Sequence, residues 1–202
     1  KAGYNNTSHF DKCAGTADVD GDGKPDILNS FSLITESFGV FRNIADSNSF
    51  LFEPRVNIPL TSNTALGQFC AGDLDGDGKP DVAGVDNSLQ VIVLKNTSTP
   101  GAISFNTQIS LPVGGASSEV AIADLDNDGR NDLAVAAWSY VDVIKNTSSP
   151  GFLSFGQTKH LTPYANAGYK YVIAADLKRK KKKDLLAYSN FAPNSQITVL
   201  LN

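Results

Sequence analysis

Short runs of apolar, small and β-branched residues alternate along the whole chain with polar breaks rich in Gly, Asp, Asn, Ser and Pro. The stretch 120–160 shows the pattern most plainly. Val120 to Ala123 predicts one strand, Asp132 to Ala137 (DLAVAA) a second, Val141 to Lys145 (VDVIK) a third and Phe152 to His160 a fourth. β-Branched enrichment and short period favour strands, and no segment shows a convincing helical period of 3.6 residues.

The same pattern recurs. Ala17 to Ile27 reads ADVDGDGKPDI, Gly72 to Val82 GDLDGDGKPDV, Ala123 to Leu133 ADLDNDGRNDL, and Ala175 to Leu185 ADLKRKKKKDL. The first aspartates, Asp18, Asp73, Asp124 and Asp176, are spaced by 55, 51 and 52 residues. An apolar run ending in asparagine follows each loop: VFRN at Asn43, VLKN at Asn96, VIKN at Asn146 and VLLN at Asn202. Two of these continue as KNTSTPGAISF and KNTSSPGFLSF. The chain therefore reads as four copies of one unit. Four strands per unit of about 40–50 residues is the signature of a β-propeller blade, so the fold class is all-β, with residues 1–202 forming one propeller segment. The acidic loops fall at 18–26, 73–81 and 124–132, with a degenerate one at 176–184.

These residues resemble the FG-GAP or VCBS type of calcium-binding repeat, found in integrin alpha propellers and in many secreted bacterial surface proteins. The resemblance covers essentially the whole chain. It implies propeller blades whose hairpin loops hold calcium, with roles in adhesion, ligand recognition or structural support.

Calcium takes six to eight hard oxygen ligands in flexible geometry, and alternating carboxylates in a tight loop supply them. In the first loop Asp18, Asp20 and Asp22 hold positions 1, 3 and 5, the backbone carbonyl of Lys24 falls at 7, and Asp26 at 9. Gly23, at position 6, suits a sharp turn. The second loop repeats this with Asp73, Asp75, Asp77, Lys79 and Asp81, and the third with Asp124, Asp126, Asp128, Arg130 and Asp132. Without a cation, four carboxylates within nine residues would repel one another. An EF-hand would need Glu at position 12, where Asn29, Gly84 and Val135 stand. A phosphatase with a DxD nucleophile would need one distinct site, not three near-equal copies. In the fourth loop Lys178 and Lys180 replace two carboxylates and Lys181 the turn glycine, leaving Asp176 and Asp184. Three Ca2+ sites are expected, with the fourth loop metal-free: either the Lys178 or Lys180 ammonium lies between Asp176 and Asp184 in place of an ion, or all six basic side chains splay into solvent.

No HExxH, GxSxG, Walker or GxGxxG motif occurs, and the two histidines, His9 and His160, stand in different repeats as solvent or turn residues. A non-catalytic module is expected. The partner would be an extracellular protein or polysaccharide, or other copies or flanking blades of the same protein. The alternative is a lectin-like carbohydrate-binding propeller attached to a larger enzyme or adhesin, with Trp138, Tyr140, Tyr164, Tyr169 and Tyr171 as sugar-stacking candidates.

Charge and composition refine this picture. The formal charge of −4 conceals an unbroken basic run from Lys178 to Lys183, without which it would fall to −10. That run reads as a solvated or locally compensated cluster, and no nucleic-acid module accompanies it. No run of eighteen apolar residues is present, which argues against membrane insertion. Methionine is absent, as expected of a processed or excised product, and about one strand is missing from the ring, so the segment is expected to be part of a larger propeller or of one completed by another copy. An extracellular or cell-surface location is expected. There, Cys13 and Cys70 could form one disulfide or pack as buried thiols, and the sequons at Asn5, Asn6, Asn96 and Asn146 could carry glycans or serve as turn residues.

Overall fold

The computed structural model describes residues 11–31, 38–60, 66–86, 89–164, 167–180, 182–189 and 195–200. Within them the chain forms four antiparallel sheets, each a meander in sequence order. The first holds β1 (Asp11–Ala17), β2 (Asp26–Phe31), β3 (Phe38–Phe41) and β4 (Val56–Ile58); the second holds β5 (Phe69–Gly72), β6 (Asp81–Val85), β7 (Gln90–Asn96) and β8 (Phe105–Pro112). The third holds β9 (Ser117–Ala123), β10 (Asp132–Ala137), β11 (Tyr140–Asn146) and β12 (Phe155–Leu161), and the fourth β13 (Tyr169–Ala175), β14 (Asp184–Ser189) and β15 (Gln196–Leu200).

The strands fall where the apolar runs predict them, except that β12 starts at Phe155. Phe152 instead closes a tight turn with Ser149 over Pro150 and Gly151, where Gly151 adopts φ 81° and the Phe152 side chain is exposed. β6 and β10 are buried at every residue. They read as continuous apolar runs because neighbouring sheets cover both of their faces.

The sheets stack face to face as propeller blades, with β1 packed on β5, β5 on β9 and β9 on β13. Leu28, Phe38 and Val40 of the first sheet meet Val82, Ile92 and Leu94 of the second. Ala83, Val85 and Val93 then meet Leu133, Val135 and Ile144 of the third. Ala134, Ala136 and Val141 meet Tyr169, Val172 and Leu185 of the fourth. Among the described residues no packing of that extent joins the fourth sheet to the first. Residues 1–10 lie outside the described residues.

A second device ties the sheets together. Asn96 is fully buried at the end of β7, and its Nδ2 donates to the Pro80 carbonyl (3.1 Å) and to the Val19 carbonyl of the preceding sheet (2.8 Å). Asn146 repeats this from β11, donating to Asn131 (2.7 Å) and to Leu74 of the second sheet (2.7 Å). Each side-chain oxygen accepts from the N–H two residues on, in Ser98 and Ser148 (both 2.8 Å). The amide nitrogen that would carry a glycan is thus buried and committed, so the two sequons serve the fold. Asn5 and Asn6 lie outside the described residues.

Two outcomes follow from these contacts. Asn96→Ala leaves two buried carbonyls without a donor, at about 1–3 kcal/mol each. Its cost in urea denaturation should exceed that of Asn43→Ala, since among the described residues Asn43 donates to Pro25 of its own sheet alone. Mass spectrometry of protein secreted from a glycosylating host should find Asn96 and Asn146 unmodified.

Candidate metal centres

Each acidic loop links the first two strands of its sheet, and two backbone devices shape it. Position 4 takes a left-handed conformation in all four loops, at Gly21 (φ 75°), Gly76 (72°), Asn127 (61°) and Arg179 (54°). Position 6 does so in three, at Gly23, Gly78 and Gly129. The first carboxylate holds the turn, with Asp18 accepting from the N–H groups of Gly21 and Gly23, both at 2.9 Å.

The structure brings together one carboxylate oxygen each from Asp18, Asp20 and Asp22, within 4.8 Å of one another. Asp73, Asp75 and Asp81 form the same kind of triad in the second loop, and Asp124, Asp126 and Asp132 in the third. The three loops could therefore each hold a metal ion, and their all-oxygen donor set suits a hard cation. Position 5 belongs to the triad only in the first loop, and position 9 only in the others. Lys24, Lys79 and Arg130 donate their backbone N–H groups to Asp22, Asp77 and Asp128, each at 3.0 Å.

The position-9 carboxylates do more than face the loop. Asp26 accepts from Val19 N (2.9 Å) and Asn43 N (2.8 Å), Asp81 from Leu74 N (3.0 Å) and Asn96 N (2.8 Å), and Asp132 from Leu125 N (3.0 Å) and Asn146 N (2.8 Å). Each joins the start of the loop to the landmark asparagine. Burial raises the pKa of all three, outweighing those N–H donors, and neighbouring carboxylate charge adds to the rise. Asp81 is pushed up to about 6.

The basic residue preceding the landmark asparagine in the first three repeats is a site feature that sequence reasoning missed. Arg42 pairs with Asp20 (2.5 Å) and Asp22 (2.9 Å), Lys95 with Asp75 and Asp77, and Lys145 with Asp126 and Asp128. These cations lie on positions 3 and 5. Burial alone would raise Asp20, but the Arg42 hydrogen bond and the N–H groups of Gly101 and Asp22 outweigh it and hold the carboxyl below its usual range. Asp77 is lowered similarly through Lys95 and the Lys79 N–H. A sequence signal existed: the fourth repeat has Leu201 at this place, and its loop carries lysines at positions 3 and 5.

In that fourth loop the Lys178 ammonium lies 3.8 Å from buried Asp184, and the Lys180 N–H donates to Asp176 at 3.0 Å. Lys178 thus leans toward the position-9 aspartate as an ion-pair partner. Lys181 lies outside the described residues.

Other candidates sort by burial. Tyr169 is fully buried in the core between the third and fourth sheets, so it offers no stacking surface. Tyr140 packs beside the His160 ring at 5.3 Å, while Trp138, Tyr164 and Tyr171 are exposed and the Lys170 ammonium lies 5.4 Å from the Trp138 ring. His160 is not a simple turn residue. Its Nδ1 lies 2.7 Å from Asp142 Oδ1, while Asp142, buried in β11, also accepts from the Gly114 N–H at 2.6 Å. Cys70 is half-buried with its sulfur 3.7 Å from the Ala83 carbonyl, and the side chain of Cys13 lies outside the described residues.

Among known proteins, the family model described as an FG-GAP-like repeat matches residues 18–84 and 73–135, together more than half of the chain. No curated protein matches it. A similar solved structure is titled "Crystal structure of BBS1N in complex with ARL6DN, soaked with mercury"; it shares 12% identity over 95% of this chain and 81% of that chain, with a TM-score of 0.38.

The shifted aspartates set a pH dependence for the metal-free protein. Between about pH 4 and pH 6 the folded state retains a proton on Asp81 that the unfolded chain has lost, so stability falls as pH rises through that window. Asp26 and Asp132 act in the same direction, while the lowered Asp20 and Asp77 withdraw stability only below their ordinary value of 3.8. Urea midpoints in chelator should therefore peak near about pH 4 and decline toward about pH 6.

Proposed function

The chain belongs to the FG-GAP-like repeat family, and from that membership we propose that it is a calcium-stabilised β-propeller module, acting outside the cell or at its surface in adhesion, ligand recognition or structural assembly. The observation that carries this reading is the threefold recurrence of an aspartate triad at equivalent places in three successive sheets. One triad could be an accident of surface charge. Three on a repeated scaffold suggest a common ligand.

Calcium suits these loops on chemical grounds. Asp20 and Asp75 are nearly inaccessible to solvent, and a dication there would offset repulsion that one lysine or arginine only partly neutralises. The carbonyls of Lys24, Lys79 and Arg130 would complete each shell, as the repeat pattern implies. The fourth loop, with two aspartates and a lysine beside one of them, is proposed to take no ion. The module is proposed to be non-catalytic, with a protein or polysaccharide partner and no contact with nucleic acid or the membrane interior. Exposed Trp138, Tyr164 and Tyr171 keep a lectin-like role as the second reading, which glycan-array binding would test.

Calorimetric titration should find three calcium ions per chain. At a hundred times the dissociation constant each site adds about 2.7 kcal/mol, so three independent sites would add about 8 kcal/mol, comparable with the 5–15 kcal/mol of a typical domain. Excess EDTA should lower the melting temperature sharply. An unchanged melt after ion removal, verified by metal analysis, would sink the proposal, as would a fourth ion on Asp176 and Asp184.

A further inference from the structure

Each of the first three acidic loops meets a tethered cation supplied by its own sheet. Arg42 follows the last residue of β3, and Lys95 and Lys145 each stand one residue before the end of β7 and β11. All three reach the carboxylates at positions 3 and 5 of the loop. Two members of the first triad, Asp20 and Asp22, and one member of each other triad, Asp75 and Asp126, are thereby engaged.

The engagement occupies the lone pairs that a metal ion would need. A carboxylate oxygen offers about two acceptor positions. Oδ2 of Asp20 takes Arg42 Nε at 2.5 Å and the Gly101 N–H at 2.8 Å, so both of its positions are filled, and Oδ1 takes the Asp22 N–H at 3.1 Å. Asp75 takes Lys95 on Oδ2 and the Asp77 N–H on Oδ1 at 3.2 Å. A monocation and a dication in contact with the same oxygens repel each other, and the repulsion is strong where burial removes solvent screening. The hold is firmest in the first loop, where Arg42 also lies 3.5 Å from Glu53, a carboxylate outside the loop that can keep the guanidinium once it leaves Asp20. It is loosest in the third, where the Lys145 side chain is 51% exposed and Asp124 Oδ1 is buried without a hydrogen-bond partner. In the fourth repeat the cation and the carboxylates at positions 3 and 5 are lost together, Leu201 standing in place of the basic residue.

We infer that Arg42, Lys95 and Lys145 are built-in competitors of the metal ion: each holds its loop's carboxylates against a dication and must release them for one to bind. A contact made in only one of two states stabilises that state and lowers the apparent affinity of a ligand that selects the other. These three side chains therefore set how tightly the loops bind calcium, an inference that rests on the calcium reading above.

Calorimetric calcium titration of the full 202-residue chain, with thermal melts in EDTA and in saturating calcium, tests it on the Arg42→Gln/Lys95→Gln/Lys145→Gln variant. The variant should bind calcium about tenfold more tightly per site than the wild type. Its melting temperature should fall in EDTA and match the wild type in saturating calcium. Lys145→Gln alone disturbs only a half-exposed pair and keeps the test open if the triple variant fails to fold. It should tighten one site of three, and Lys145→Arg, which keeps the charge, should titrate like the wild type. Unchanged or weaker binding by Lys145→Gln overturns the inference, and so does a melting temperature that falls as far in calcium as in EDTA, since the basic residues then only brace the fold. A wild type that binds three ions as tightly as the variants overturns this inference alone. Absence of binding by wild type and variants together overturns the calcium reading and this inference with it.

Discussion

A buried carboxylate that receives two main-chain N–H groups is the interaction on which the rest of this structure depends. Asp81 shows it in full: one oxygen takes the N–H of Leu74 at the start of the loop, the other that of Asn96 at the end of β7. The Asn96 side chain reaches back to the carbonyl of Val19, whose own N–H is held by Asp26. Leu74 is in turn gripped by Asn146, whose N–H is held by Asp132. The result is a continuous relay of hydrogen bonds through three sheets. Such a buried polar network specifies one arrangement of its parts because every unpaired member would cost free energy.

This relay explains why loop and asparagine recur together in the sequence. An aspartate alone at position 9 would close a loop, and an asparagine alone would end a strand. Together they tie one sheet to the next, while apolar residues such as Val85 and Val135 supply the bulk of the burial. The raised pKa of Asp81 follows from the same placement, since burial opposes its charge even with two donors in place. Asp20 and Asp77 are instead held below the usual carboxylate range, where hydrogen bonds from Arg42 and Lys95 and from backbone N–H groups outweigh burial, and Asp128 is held low by the Arg130 N–H with Lys145 beside it. Each loop thus combines a position-9 carboxyl inclined to hold its proton with a carboxylate held ionised nearer the loop's surface.

The fourth repeat shows what happens when the charge is moved. Its loop keeps the left-handed position 4, now at Arg179, and the buried position-9 carboxylate of Asp184. The cation has shifted from the strand end into the loop, where Lys178 leans toward Asp184. Fold and charge are therefore separable in this unit: the backbone path survives the loss of the carboxylates that make the other loops candidates for a metal.

The strands, the number of sheets and the composition of the acidic loops could be read from the sequence, because they depend on local period and spacing. Asp18, Asp20 and Asp22 alternate within one turn, and nothing distant is needed to bring them together. Three features depended on tertiary structure. Asn96 and Val19 are 77 residues apart, and no pattern in either stretch says that they touch. Tyr169 reads equally well as a surface ring or a core ring until the third sheet covers it. Asp142 and His160 meet only through the pairing of β11 with β12, in a register that buries the carboxylate. Periodicity tells which side chains share a face, whereas the packing of the blades decides what that face meets, and with it the charge and solvation of every group placed there.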